Sequence, residues 1–268
     1  MKFFLAPMQG LTGYIVRNAF HHHFDYIDKY YTPFIPAAKR MNAKIKRDID
    51  PVNNDGITLI PQAMSIVADE VIDLHRQLVP YGYDEINVNL GCPSGTVVSK
   101  KRGSGILAYP DMLDSFLDEL YTKADFPVSI KTRVGFNDDE LWPKLIEIYS
   151  KYPISELTVH PRVQKDFYKN TPRLDDFALA IQKINPDKTI LCYNGDITDT
   201  NSFNALTDRF PDIDEIMIGR GLFANPALIA ELKGIRMDKA ELCERLKNWH
   251  DEILYGYLSI FSGEKDAI

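Results

Sequence analysis

The segment Asn89-Leu90-Gly91-Cys92-Pro93-Ser94 sets a thiol between a glycine and a proline. Proline lacks a backbone N–H and ends a strand ladder, so Cys92 belongs to a loop leaving a strand, where it can meet substrate. An unperturbed thiol has a pKa of about 8.5 and is mostly protonated at neutral pH. No activating base stands beside it in the sequence, which favours Cys92 as a proton donor over a covalent nucleophile. Cys192, inside an apolar run, and Cys243, in a helical tail, read as inert small hydrophobes.

Other short segments place polar groups after apolar runs: Ala6-Pro7-Met8-Gln9-Gly10, Pro61-Gln62, Lys131-Thr132-Arg133, His160-Pro161-Arg162, Asn194-Gly195-Asp196 and Gly219-Arg220-Gly221. Gln62 and Asn89 each offer an amide donor and acceptor suited to the edge of a planar heterocycle. Lys131 supplies a cation where electron density would accumulate on a reduced ring. Gly195, Gly219 and Gly221 suit phosphate binding through backbone N–H groups, and Arg220 can add a charge-assisted contact. Together they describe a site for a phosphorylated flavin. Each residue alone is better read as an ordinary turn or strand-end group; their coincidence at seven strand ends reverses that preference.

The elements that must carry these groups alternate. Apolar or β-branched runs at 3–6, 26–31, 57–62, 85–89, 128–132, 156–160, 189–193 and 215–218 are separated by stretches of helical period, including 66–79, 110–122, 141–151 and 200–207. Asp199 or Thr200 is a candidate N-cap for the last of these. Eight strand–helix units in this length predict an α/β fold, a TIM (β/α)8 barrel whose site lies at the C-terminal strand ends. From about Lys239 the apolar positions Leu242, Leu246, Trp249, Ile253, Tyr257 and Ile260 predict one long amphipathic helix. The expected domains are a barrel over 1–234 and, over 235–268, the beginning of a helical domain, cut short.

Composition bounds the rest. The 268 residues are 45% hydrophobic with 26% charged, ordinary for a globular chain, and the net charge of −7 excludes a uniformly basic surface. Basic residues nevertheless concentrate in two runs, Lys39, Arg40, Lys44, Lys46 and Arg47, and Lys100-Lys101-Arg102. Read as loops on one rim, they could hold a polyanion by its phosphates, with Tyr30, Tyr31, Phe34 and Tyr168 available for stacking; a solvated charge run is the alternative for the first cluster. Three cysteines without a C-x-x-C spacing, no signal peptide and no membrane-length apolar window predict a cytoplasmic protein. Successive helical residues point about 100° apart, so His21-His22-His23 cannot share one metal, and no metal site is expected.

Ala6-Pro7-Met8, the Asn89–Ser94 segment, Lys131-Thr132-Arg133, His160-Pro161-Arg162, Asn194-Gly195-Asp196 and Gly219-Arg220-Gly221, in this order, resemble the tRNA-dihydrouridine synthase family over roughly residues 3–232. The resemblance implies an FMN-bearing barrel followed by a helical tRNA-binding domain, reducing selected uridines in tRNA with NADPH. It assigns FMN binding to Pro7, Met8, Gln62, Lys131, His160, Asn194, Gly195, Asp196, Gly219 and Arg220. Cys92 becomes the acid that protonates C5 of the uracil as the flavin delivers hydride to C6. Asn89, Arg133 and Tyr168 would face the base, while Lys39 and Arg40 would contact the RNA. The expected partner is tRNA and the expected state a monomer. Val163 stands where many members carry Thr, and Asn170 where Gly is common. Two rivals remain: a flavin barrel acting on a small free pyrimidine, like a dihydroorotate dehydrogenase, and a non-catalytic RNA-binding barrel.

Overall fold

A computed structural model describes residues 1–37 and 40–261, with only the backbone of Phe261. Its strands are β1 (Lys2–Leu5), β2 (Lys29–Tyr31), β3 (Ile35–Pro36), β4 (Leu59–Ile60), β5 (Gln62–Met64), β6 (Ile86–Leu90), β7 (Val128–Gly135), β8 (Glu156–Val163), β9 (Ile190–Tyr193) and β10 (Glu215–Ile218). Every pairing is parallel, and the order is β3-β5-β6-β7-β8-β9-β10-β1-β2-β4.

The ten segments are eight staves of a closed barrel. β4 pairs with β2, β5 pairs with β6, and only Pro61 separates β4 from β5. Proline cannot donate to the ladder, so one stave is recorded as two. Its carbonyl still accepts from Asn87 N of β6 (2.9 Å), and on the opposite edge of the stave Thr32 N, just past β2, donates to Ile60 O (3.1 Å). β3 prolongs the second stave past Pro33 and pairs with β5.

Alternation along the strands builds two cores, as a period of two requires. Phe3, Leu5, Ile86, Val88, Leu90, Ile130, Val159 and Ile218 point outward into the main core beneath the helices. Phe4, Ala6, Tyr31, Ile60, Cys192 and Met217 form a separate cluster inside the barrel. Below it, Glu156 accepts from Lys29 Nζ (2.7 Å), Tyr31 Oη (2.7 Å) and Thr158 Oγ1 (2.8 Å), giving the barrel an ionic floor.

The surrounding helices are α1 (Tyr14–His23), α2 (Ala43–Ile49), α3 (Ala68–Leu78), α4 (Gly95–Val98), α5 (Pro110–Lys123), α6 (Trp142–Tyr149), α7 (Leu174–Lys183), α8 (Thr200–Arg209), α9 (Arg220–Ala224), α10 (Leu228–Leu232) and α11 (Lys239–Phe261). Asp199 caps α8 by accepting from Ser202 N (2.7 Å), as its sequence suggests. The basic run after residue 38 differs from expectation. Asn42 caps a helix there, accepting from Ile45 N (2.9 Å), so Lys44, Lys46 and Arg47 lie on α2 and not on a loop.

α11 lies against α1. Trp249 meets Phe20 edge-on at 5.3 Å, and the Glu252 carboxylate pairs with His22 Nδ1 (2.9 Å) and His23 Nε2 (2.8 Å). His21 pairs instead with Asp25 (2.9 Å). No helix among the described residues is long and apolar enough to cross a membrane.

Candidate active site

A cavity of about 680 Å³ opens at the C-terminal ends of the strands, within the range of small-molecule sites. Seven staves or the loops that leave them contribute: Ala6, Pro7 and Met8; Phe34; Asn89, Gly91 and Cys92; Lys131 and Arg133; His160; Asn194, Gly195 and Asp196; Gly219 and Arg220. A groove of about 810 Å³ lies at the opposite end of β9 and β10, beside Ile190, Phe210 and Glu215. It is remote from this set and at the end of the barrel where stability residues collect.

A directional file of side chains fixes the Cys92 loop. Asn89 Oδ1 accepts from Gly91 N (3.1 Å) and Cys92 N (2.8 Å), so its Nδ2 must donate elsewhere. It donates to Gln62 Oε1 (2.7 Å); Gln62 Nε2 donates to Asn87 Oδ1 (2.8 Å), and Asn87 Nδ2 to Ser129 Oγ (3.0 Å). Ser129 in turn bonds the Glu85 carboxylate. Each link has one sense, because an amide nitrogen only donates. Gln62 is thus fully buried behind Asn89 and does not line the cavity.

From the other side, the Cys92 carbonyl accepts from Ser104 N (3.1 Å) and Ser104 Oγ (2.8 Å). Gly103 packs against the same loop at φ +54°, where a Cβ would stand 2.7 Å from Cys92 O and 3.0 Å from Cys92 Cβ. Burial pushes the Cys92 thiol up, against the opposing pull of the Ser94 amide, Arg133 and Lys131. The sulfur therefore keeps its proton at neutral pH, as a general acid requires.

Around the thiol the charges are positive. Lys131 Nζ donates to Asn194 Oδ1 (2.6 Å), and burial, assisted by Arg133, lowers its pKa to about 7. Arg133 is buried and spans three carbonyls: Gly91 (3.0 Å), Val163 (2.9 Å) and Phe167 (2.7 Å). Burial holds the His160 imidazole well below its ordinary pKa, with Arg133, Lys131, Arg162 and Arg220 adding to the effect, so the ring is neutral.

Asp196 is the carboxylate of this lining. Burial alone would raise its pKa, but ion pairs with Arg162 and Arg220 outweigh that and hold it low. Tyr168 stands half-exposed between two guanidiniums, Arg220 at 4.7 Å and Arg133 at 5.7 Å from its ring centroid. Its neighbour Phe167 has φ +52°, with its carbonyl fixed by Arg133. A cavity of this size with Lys131, Arg133 and Arg220 around one compensated carboxylate and two neutral amide-bearing strand ends fits an anionic, phosphorylated heterocycle.

Of the residues expected from sequence, Cys92, Pro7, Met8, Lys131, His160, Asn194, Gly195, Asp196, Gly219, Arg220, Asn89, Arg133 and Tyr168 meet at this cavity. Arg40 is exposed and outside the lining; Lys39 lies outside the described residues. Phe34 appeared in the sequence as a stacking residue and is in the lining, whereas Phe167 gave no local signal. Arg162 was visible only as part of a strand-end triplet, and its ion pair with Asp196 beyond β9 is a tertiary fact.

Comparison with known proteins follows the same line. The family profile described as Dihydrouridine synthase (Dus) matches residues 4–254. The chain is 27% identical over 280 residues to a probable tRNA-dihydrouridine synthase of Staphylococcus aureus (strain MRSA252), covering 99% of this chain and 79% of that protein. It is 26% identical over 243 residues to tRNA-dihydrouridine synthase B of Pasteurella multocida (strain Pm70), covering 87% of this chain and 69% of that protein. Among solved structures, morphinone reductase is similar in fold, with a TM-score of 0.59 at 11% identity over 90% of this chain and 88% of its own.

Proposed function

The chain belongs to the dihydrouridine synthase family, and from that premise we propose that it reduces selected uridines of tRNA to 5,6-dihydrouridine with bound FMN and NADPH as the reductant. Pro7, Met8, Lys131, His160, Asn194, Gly195, Asp196, Gly219 and Arg220 would hold the cofactor. FMN bound there would supply hydride for C6 of the uracil, with NADPH as its source. Gln62 would serve the site through Asn89 and not by lining it.

The protein's own part is to orient the base and supply a proton. Cys92 gives its proton to C5; a thiol kept neutral by burial is suited to that step. Asn89, Arg133 and Tyr168 face the uracil, and Lys131 places positive charge against the electron-rich ring. A uracil stacked in tRNA must first be extruded, at a cost of a few kcal/mol, offset by phosphate contacts. Lys39, Arg40 and the exposed cations of α2 would provide them. Among the described residues, no ion pair occupies Arg40, Lys44, Lys46 or Arg47. We assign residues 1–234 to the catalytic barrel and 235–268 to a tRNA-binding region, in a cytoplasmic monomer.

The observation that carries this reading is the Cys92 thiol, fixed by Asn89 and Ser104 at the rim of a cavity that also holds Lys131 and His160. Position-resolved nucleoside analysis of tRNA from cells with and without the protein tests it, alongside the absorbance of the purified chain. Dihydrouridine lost at defined positions on deletion is the expected result. A yellow protein with unaltered tRNA and activity on a free pyrimidine would favour the small-substrate rival. A colourless protein that FMN cannot reconstitute would favour the non-catalytic one.

A further inference from the structure

Arg162 continues the inward row of β8 two residues beyond His160; it is 1% exposed, yet it does not line the cavity. A guanidinium this deep is tolerated only with its N–H groups engaged. Its Nε donates to the carbonyls of Lys169 (3.0 Å) and Asn170 (3.2 Å). Nη1 donates to Asp196 Oδ1 (2.9 Å) and to His160 Nε2 (3.2 Å), while Nη2 bonds Asp196 Oδ2 and the Asn170 carbonyl. Asp196 Oδ1 also accepts from Arg220 Nη2 (2.8 Å), and that second guanidinium lies over Tyr168. One buried cation thereby ties together β8, the loop that carries Tyr168, and the strand ends of β9 and β10.

The chemistry of the group fixes what these contacts mean. Arginine has five donors and no acceptor, so the nitrogen of His160 that faces it must present its lone pair. The ring proton then sits on Nδ1. Toward Asp196 the two Nη atoms form a fork, which turns the carboxylate so that Oδ1 is shared with Arg220. The trio Arg162, Asp196 and Arg220 carries a formal charge of about +1, and without Arg162 it carries none, so an anion at Arg220 would lose its attraction.

We propose that Arg162 is the positioning residue of the mouth: it sets the His160 tautomer and, through Asp196, aims Arg220 at the bound anion. The identity of that anion as FMN rests on the function proposed above; the tautomer does not. The first measurement is the imidazole 15N pattern of the unliganded wild-type protein, with the His160 signal identified among six histidines by its loss in His160→Asn. The expected pattern is a protonated Nδ1 and an unprotonated Nε2. A ring protonated on Nε2, or a charged one, overturns the proposal without any Arg162 variant having to fold.

The second measurement uses Arg162→Lys, which keeps the charge but cannot reach the two carbonyls, His160 and Asp196 together. FMN affinity, followed by quenching of flavin fluorescence, should weaken at least tenfold, and the His160 signals should shift toward a tautomer mixture. Wild-type affinity with an unshifted tautomer in the folded variant refutes the positioning role. Failure of the wild-type protein to bind FMN would sink the cofactor reading instead, and the tautomer result would stand apart from it.

Discussion

Replacing Gly103 by alanine tests whether the Cys92 loop is held as tightly as its contacts require. The added Cβ would stand 2.7 Å from Cys92 O and 3.0 Å from both Cys92 Cβ and Val97 Cγ1, at a residue with φ +54°. Left-handed backbone costs a non-glycine residue about 1–2 kcal/mol, and overpacking a closed site costs about 1–3 kcal/mol more. If nothing moves, stability falls by about 2–5 kcal/mol, or about 4–20 °C in Tm for a large domain. If the loop yields, Cys92 shifts, because two of the three close atoms are its own. Calorimetry reads the first outcome. Thiol labelling reads the second, in a Cys243→Ser background, since Cys243 is exposed while Cys192 is buried. A variant with wild-type Tm and wild-type Cys92 labelling would show that the close approach constrains nothing, and the account of how the thiol is fixed would fall.

Cys92→Ala should retain FMN and its reduction by NADPH yet form almost no dihydrouridine; equal product formation would remove the thiol from the mechanism. Lys131 predicts a proton linkage. Its folded pKa of about 7 lies below the unfolded value of 10.5, so the unfolded chain binds the extra proton between them and apo-protein stability should rise with pH across that window. An electron-rich ring placed at Lys131 favours the ammonium, so FMN binding at pH 8 should take up as much as about one proton. Calorimetry in two buffers measures that uptake, and Lys131→Met should abolish it. Reversing Lys39, Arg40 and Lys44 to Glu should weaken tRNA binding and flatten its salt dependence by about one unit of slope for each phosphate no longer neutralised; an unchanged slope would make the cluster a solvated one.

The eight staves were legible because each is a short apolar run between helical stretches, and the polar strand ends then named the mouth. Local signals misled where pairing decides. β7 and β8 run to Gly135 and Val163, beyond the expected 132 and 160, because they pair with each other past the rim, with a register shift between Arg133 and Gly135. The third stave reads as continuous in sequence and is split at Pro61. Within the mouth, residue type revealed which groups could bind, but not which would be used up by neighbours. Gln62 looks like a ligand for a heterocycle, and only the fold shows both ends of its amide taken by Asn89 and Asn87. Arg162 carries the opposite lesson: arginine rarely lies at 1% exposure, and nothing local distinguishes it from the exposed Arg220.

Along the barrel axis, the file from Asn89 through Gln62 and Asn87 to Ser129 transmits orientation but not protons, since carboxamides keep their hydrogens near neutral pH. Around it, Phe4, Tyr31, Ile60, Cys192 and Met217 shut the waist. On the mechanism proposed above, a Cys92 sulfur that has given up its hydrogen would be recharged from the mouth, by water arriving over the rim or by way of Lys131. On that reading, a folded RNA covering the rim would keep water out and slow re-arming of the acid, tying it to release of the product.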